Sequence, residues 1–185
     1  MIIIIRHGET IWNIQKRKQG HKDSNLTLKG KRQAIKVANF FNKKKYDLSK
    51  FKIYSSPLRR VLNYKKIIEK NLKPQFNLGE RTRLSNMLKE HKFGYWEGKN
   101  DNEIKKKYPK EFKLRSQDKW NYKIPGGGES YDLLYKRINK FLKKISRKKN
   151  TLIFTHDMVS RVLRGNIMKY KKNKIMKMQH KNNCI

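Results

Sequence analysis

The order of apolar runs along the 185-residue chain predicts an α/β fold with a mostly parallel central sheet flanked by helices. Two observations carry that expectation. Short runs of β-branched and apolar residues alternate with longer segments whose apolar residues recur at helical spacing, the pattern of strands joined by crossover helices. Two of the short runs end in a basic or polar pair, Arg6-His7 and Thr155-His156. Ligands of open α/β sheets sit beyond the carboxyl ends of the strands, so neighbouring placement of these two would bring both histidines to one crevice.

Residues 2–5 are four isoleucines and read as a fully buried strand. Thr27 can cap a helix through about residue 42, with Leu28, Ala34, Ile35, Ala38 and Phe41 at core spacing. Residues 51–55 read as a second strand, and Pro57 opens a helix with Leu58, Val61, Leu62 and Ile68 on one face. Residues 71–100 are mixed, with loops and room for a short strand. Residues 101–108 form a short helix stopped by Pro109, and residues 124–129 a glycine-rich loop. Ser130 can cap the next helix, which turns Leu134, Ile138, Phe141, Leu142 and Ile145 to the core. Residues 151–155 are a third strand, and Asp157 can cap a helix carrying Val159, Val162, Leu163 and Ile167. From Lys169 the chain is polar and lysine-rich. No internal repeat is present. The length suits one domain, residues 1–185, with a full-sized core.

Hydrophobic residues make up only 36%, yet they cluster, which favours a folded core over disorder. No apolar run approaches the ~18–20 residues that cross a bilayer, and residues 2–5 are too short for a signal-peptide core. The one cysteine, Cys184, allows no internal disulfide. A cytoplasmic protein with no membrane partner is the expectation. The formal net charge of +35 has three readings: the lysine-rich usage of an AT-rich genome, steering of anionic substrates, or nucleic-acid binding. The lysines are spread along the whole chain, with no zinc-finger spacing, RNA-binding aromatic motif or basic zipper, so no specific nucleic-acid partner is expected.

The chemistry concentrates after the first strand. Gly8 lets backbone N–H groups approach a ligand, a neutral His7 is a capable nucleophile toward phosphorus, and Arg6 offers a planar fork for phosphate oxygens. Alone, His7 would pass for an ordinary strand-end histidine. The surrounding pattern argues otherwise.

Arg6-His7-Gly8-Glu9-Thr10 with Trp12-Asn13 resembles the opening of the histidine phosphatase superfamily, which includes the cofactor-dependent phosphoglycerate mutases. Further similarities follow in the family's order: Arg17-Lys18-Gln19-Gly20; Leu26-Thr27 with Gly30; Ser55-Ser56-Pro57-Leu58-Arg59-Arg60; Leu88-Lys89-Glu90 with Phe93-Gly94-Tyr95-Trp96-Glu97-Gly98; Gly127-Gly128-Glu129-Ser130; and Thr155-His156. They span residues 2 to about 165. The resemblance implies a phosphoglycerate mutase-like fold. It implies that His7 attacks phosphorus and becomes phosphohistidine, and that Arg6, Arg60 and His156 surround the equatorial oxygens. Asn13 would add a neutral donor. Glu90 would protonate the leaving oxygen and later take a proton from water. Gly8 would lie against the phosphate, and Arg17, Gln19 and Gly20 would shape the substrate mouth. Neither metal nor cofactor is implied, since two arginines and a second histidine supply the positive charge. A homodimer is compatible with this reading.

Other residues take plainer roles: Arg59 a solvated or rim charge, Trp96 and Glu97 support, Glu129 either an orienting group or a helix-start carboxylate, and His21, His91 and His180 surface residues. Three departures from the family stand out. Asp157 follows the second histidine where the family often has glycine, and is expected to turn away from phosphate and cap its helix. Val61-Leu62-Asn63-Tyr64-Lys65 replaces a small-residue pattern beneath Arg60. Asn183-Cys184-Ile185 resembles the start of a last strand. The leading function is hydrolysis of a small anionic phosphorylated metabolite. The runner-up is phosphoglycerate mutase, and a more distant alternative is a noncatalytic phosphate- or nucleic-acid-binding module.

Overall fold

The computed structural model describes residues 1–44, 46–74, 76, 78–145 and 149–182. The isoleucine run forms strand β1 (Ile2–Arg6), its side chains alternating so that Ile3 and Ile5 enter one core and Ile4 another. Helix α1 (Ile11–Ile14) follows, closed by a reciprocal cap between Thr10 and Asn13; no helical period in the sequence announced it. Helix α2 (Leu28–Lys43) begins where Thr27 foretold, because Thr27 Oγ1 accepts from Gly30 N at 2.9 Å.

Strand β2 (Lys52–Ser55) leads to helix α3 (Arg59–Lys70), which starts two residues beyond Pro57. Its cap residue, Leu58, has no side-chain acceptor. The Asp23 carboxylate reaches in instead and accepts from Arg59 N and Arg60 N at 3.0 and 3.2 Å. Strand β3 (Thr82–Leu84) is the short strand of the mixed segment, followed by single 3-10 turns at Asn86–Leu88 and Gly94–Trp96. Helix α4 (Asp101–Lys107) stops before Pro109, but that proline also opens helix α5 (Pro109–Gln117), which the sequence reading missed. A proline in the first helical turn forfeits no backbone bond.

Helix α6 (Tyr131–Lys144) is capped by Ser130, and strand β4 (Thr151–Thr155) is buried at all five positions. Helix α7 (Asp157–Ile167) and helix α8 (Lys172–Lys177) complete the described chain; α8 lies in the stretch that composition marked only as polar. Ile175 of α8 rests on Gly165 of α7, where any side chain would collide with it. Residues 183–185, the expected strand start, lie outside the described residues.

The sheet order is β1-β4-β2-β3, every pair parallel. Helices α2 and α3 cover the face carrying Ile3, Ile5, Ile53, Leu152 and Phe154; α6 and α7 cover the face carrying Ile4 and Ile153. The core stripes are narrower than the sequence implied. Leu28, Ile35 and Ile167 are exposed, because the buried stripe of α2 runs through Gly30, Ala34, Val37, Ala38 and Phe41, and Ile167 is the last residue of α7. The register Arg6↔Thr155 sets His7 and His156 at the same end of adjacent strands.

Candidate active site

His7 and His156 stand edge to face, with ring centroids 5.3 Å apart. His7 is buried, and its Nδ1 lies 2.7 Å from the Gly8 carbonyl oxygen. A carbonyl only accepts, so Nδ1 carries the proton and the Nε2 lone pair is left for chemistry. Burial first, then the Arg60 and Arg6 cations, holds His7 well below the usual histidine range. His156 is driven down in the same way, by burial, Arg60 and His7. Its Nε2 is 2.8 Å from Ser56 Oγ, which also accepts from Leu58 N, while its buried Nδ1 has no partner among the described residues. A Ser56 hydroxyl donating to Nε2 would leave Nδ1–H as a donor for an anion.

Arg60 is almost fully buried. Its Nη1 donates to Lys22 O and to Asp23 Oδ1, and its Nη2 to Gly20 O, each at 2.8 Å. Those bonds use three of five N–H groups. The Nε–H and one Nη2–H remain, and the buried Nε has no partner among the described residues. Arg6 donates from Nη1 to His180 O at 2.5 Å, and its Nε has no partner among the described residues. Asn13 spends its carbonyl on Thr10 N and Thr10 Oγ1, both at 3.1 Å, so its amide N–H₂ faces the cleft it lines. Gly8 admits no side chain, since a Cβ would meet Gly30 O at 2.5 Å and Tyr64 at 2.6 Å; Tyr64 is one of the unusual residues after Arg60 and fills the space below the loop. Gly20 is left-handed, with φ 54°, and packs on Glu97. Gln19 is buried and donates to Thr10 Oγ1. Arg17 lines the cleft, but its guanidinium grips Glu103 of α4 through two bonds of 2.7 and 3.0 Å, which makes it a brace of the mouth.

Glu90 lies against the N-terminus of α7. Its Oε1 accepts from His91 N at 2.8 Å and its Oε2 from Met158 N at 3.4 Å. Burial, then the like charge of Asp157, pushes Glu90 up; the His91 N–H, Arg60 and Arg6 oppose that rise. Asp157 does not cap α7. The cap residue is His156, and Asp157 is the first helical residue, its carboxylate tied to Arg161 and 3.7 Å from Arg6. It lines the cleft and so has not turned away. The three plainer histidines are not surface residues either. His91 and His180 are buried, and half-buried His21 donates to Glu90 O, because each sits on a segment that packs beneath the site. Glu97 supports the loop, accepting from His21 N and Phe93 N.

Arg6, His7, Asn13, Arg17, Gln19, Gly20, Arg60, Glu90 and Asp157 line a cleft of about 760 Å³, while Gly8 and His156 sit behind its lining residues. Its lining also carries cations that the sequence did not single out. Arg115 on α5 is buried, with its guanidinium 5.9 Å from the Trp96 ring and Nη1 unpartnered; Lys119 lies just beyond the same helix, 5.8 Å from the Tyr131 ring. Neither has an ion-pair partner among the described residues. Burial lowers Arg115, and desolvation followed by the like charges of Arg115, Arg161 and Lys18 lowers Lys119. Their four-residue spacing beside an aromatic cluster was the available signal. No group of three or more histidine, cysteine, aspartate or glutamate side chains suited to a metal occurs among the described residues.

The model for a family described as the histidine phosphatase superfamily, branch 1, matches residues 2–185. Phosphoglycerate mutase-like protein 4 of Arabidopsis thaliana is 34% identical over 165 residues, 88% of this chain and 68% of that protein. Human 6-phosphofructo-2-kinase/fructose-2,6-bisphosphatase 1 is 33% identical over 162 residues, again 88% of this chain, but the match spans only 31% of that protein. Among solved structures, an Escherichia coli protein described as an alpha-ribazole-5'-P phosphatase superposes with a TM-score of 0.86 at 21% identity, covering 99% of this chain and 86% of the other.

Proposed function

The chain belongs to the histidine phosphatase superfamily, branch 1, and from that membership we propose that it hydrolyses a small phosphomonoester bearing a second anionic group, through a phosphohistidine at His7. The observation that carries the reading is the His7 ring, buried and neutral, its Nδ1–H fixed on the Gly8 carbonyl. In the first step Nε2 attacks phosphorus in line, the ester P–O bond breaks, and the Glu90 carboxyl proton passes to the leaving oxygen. Charge on the equatorial oxygens meets Arg6, the free edge of Arg60, His156 and Asn13, all held before substrate arrives. In the second step a water oxygen attacks phosphorus, its proton goes to the Glu90 carboxylate, and the P–N bond electrons return to Nε2. Burial of Glu90 beside Asp157 favours the protonated form that the first step needs.

Arg115 and Lys119 support the second anionic group. They are unpaired cations on the wall of the same cleft, suited to a second phosphate or a carboxylate. The fructose-2,6-bisphosphatase relatives take their name from a substrate with two phosphates, which agrees with this reading. Brief incubation with a labelled phosphomonoester is expected to give an acid-labile, alkali-stable adduct that His7→Ala abolishes. An adduct that survives in that variant removes His7 from the role. Release of inorganic phosphate distinguishes hydrolysis from the mutase alternative, in which the phosphoryl group returns to a hydroxyl of the substrate.

A further inference from the structure

We infer that Arg137, locked to Glu129, is a positioning residue that holds the Glu90 carboxyl in place for proton transfer; this rests on the assignment of Glu90 as the general acid. The segment bearing Glu90 has no regular strand or α-helix to fix it. Its backbone is held by side chains instead. Arg137 Nη1 donates to Met87 O at 2.6 Å and to Lys89 O at 2.8 Å, and Nη2 reaches Glu90 O at 3.3 Å. Thr155 Oγ1 donates to Leu88 O at 2.9 Å, and His21 Nε2–H donates to Glu90 O at 3.0 Å. Four successive carbonyls, at Met87, Leu88, Lys89 and Glu90, thus each take a side-chain donor.

The guanidinium doing most of this is itself oriented. Arg137 Nε and Nη2 form a two-point pair with Glu129 at 2.9 and 2.8 Å, and Glu129 Oε2 also accepts from Lys92 N at 3.0 Å. The pair therefore grips the loop on both sides of Glu90, through Lys89 before it and Lys92 after it. Arg137 projects from α6, which is packed on the sheet, so the clamp ties the acid to a rigid element. A fork of fixed geometry is needed, because one cation must reach three carbonyls and a carboxylate at once; a lysine has the charge but not the fork. Neither Arg137 nor Glu129 lines the cleft, and the side-chain bonds of both go to each other and to the segment around Glu90. Their effect must pass through Glu90.

That distinction sets the test. Burst-phase phosphohistidine formation is measured for Arg137→Ala with an alkyl phosphomonoester, whose leaving oxygen needs a proton, and with p-nitrophenyl phosphate, whose leaving oxygen does not. General acid catalysis is worth ~10²–10⁴-fold, and a displaced acid loses part of it. The alkyl burst is expected to fall about 10–100-fold and the nitrophenyl burst less than about 3-fold. Guanidinium ion added to the variant should restore part of the alkyl rate. Glu129→Gln and Arg137→Lys, which retain the segment's packing better, should show the same selectivity, and they carry the test should Arg137→Ala fail to fold. Equal losses for both substrates, or no loss for either, overturn the inference. Wild-type protein that forms no phosphohistidine with either substrate would instead sink the hydrolase reading itself.

Discussion

Asp157 shows how one carboxylate beside a phosphate site can serve the chemistry. It follows the second histidine, lines the cleft, and is bound to Arg161 while lying 3.7 Å from Arg6. It therefore costs the site little repulsion, since two cations screen it, yet it stands near enough to raise Glu90. The charged groups acting on Glu90 are Asp157, which favours the neutral acid, and Arg60 and Arg6, which oppose it. Asp157→Asn removes the first and loosens the partner of Arg6, and both changes favour the Glu90 carboxylate. The proton needed for the leaving group is then lost at lower pH. For an alkyl phosphomonoester, the alkaline limb of the burst rate against pH should move to lower pH, the direction expected when the like charge that raises Glu90 is removed. For p-nitrophenyl phosphate the limb should stay. An unmoved alkyl limb would mean that Asp157 does not govern Glu90.

Helix α5 makes the corresponding case for substrate choice. It places Arg115 on the cleft wall, its buried guanidinium lacking any carboxylate partner among the described residues. An unpaired buried cation is costly unless a ligand completes it. Arg115→Ala should raise KM for a substrate with two anionic groups about tenfold or more, as expected for losing one charge-assisted contact of ~1.5–3 kcal/mol, with kcat little changed. A singly phosphorylated substrate without the second group should be indifferent. Equal effects on both kinds of substrate would assign Arg115 a packing role against Trp96. This helix, like α1 and α8, was not foretold by the sequence, and the reason is general. Periodicity and caps exposed β1, α2, α6 and β4, because their apolar residues face a core and Thr27 and Ser130 cap locally. Helix α5 has weak amphipathicity and starts on a proline that also ends α4, so the same residue reads as a stop. At the site, His7, Arg6, Arg60, Glu90 and His156 stood out through motifs beside strand ends. Asp23, Arg137 and Arg115 did not, since their importance comes from partners 37 and up to 50 residues away or, for Arg115, from having no ion-pair partner among the described residues.

Across the whole molecule, 49 lysines and arginines against 14 acidic residues give a field whose effect on the reaction is separable from that of the buried donors. Much of the charge is exposed and remote, as at Lys105, Lys106 and Lys107 on α4. The cleft rim adds Lys16, Lys18 and Lys119 at the point where an anion enters. Exposed charges act over distance, raising encounter rates by ~10–10³-fold in favourable cases, and salt removes that effect as the Debye length falls from ~10 Å at 0.1 M to ~3 Å at 1 M. In the proposed reaction Arg6 and Arg60 act on the phosphate at contact distance from half-buried and buried positions, where salt screens far less. The apparent second-order rate constant for an anionic substrate should therefore fall with salt, while the rate at saturation holds. Competition by the added anion is a rival cause of the same fall, since it too would raise KM. Two comparisons separate them. Chloride and a bulky monovalent anion that fits the cleft poorly should give the same slope at equal ionic strength if the cause is screening. Arg115→Ala should keep the wild-type slope, because it removes one charge from a net +35, although it weakens binding in the cleft. A slope that depends on the anion's identity, or that disappears with Arg115, would locate the salt effect in the cleft and leave the surface lysines without a part in capture.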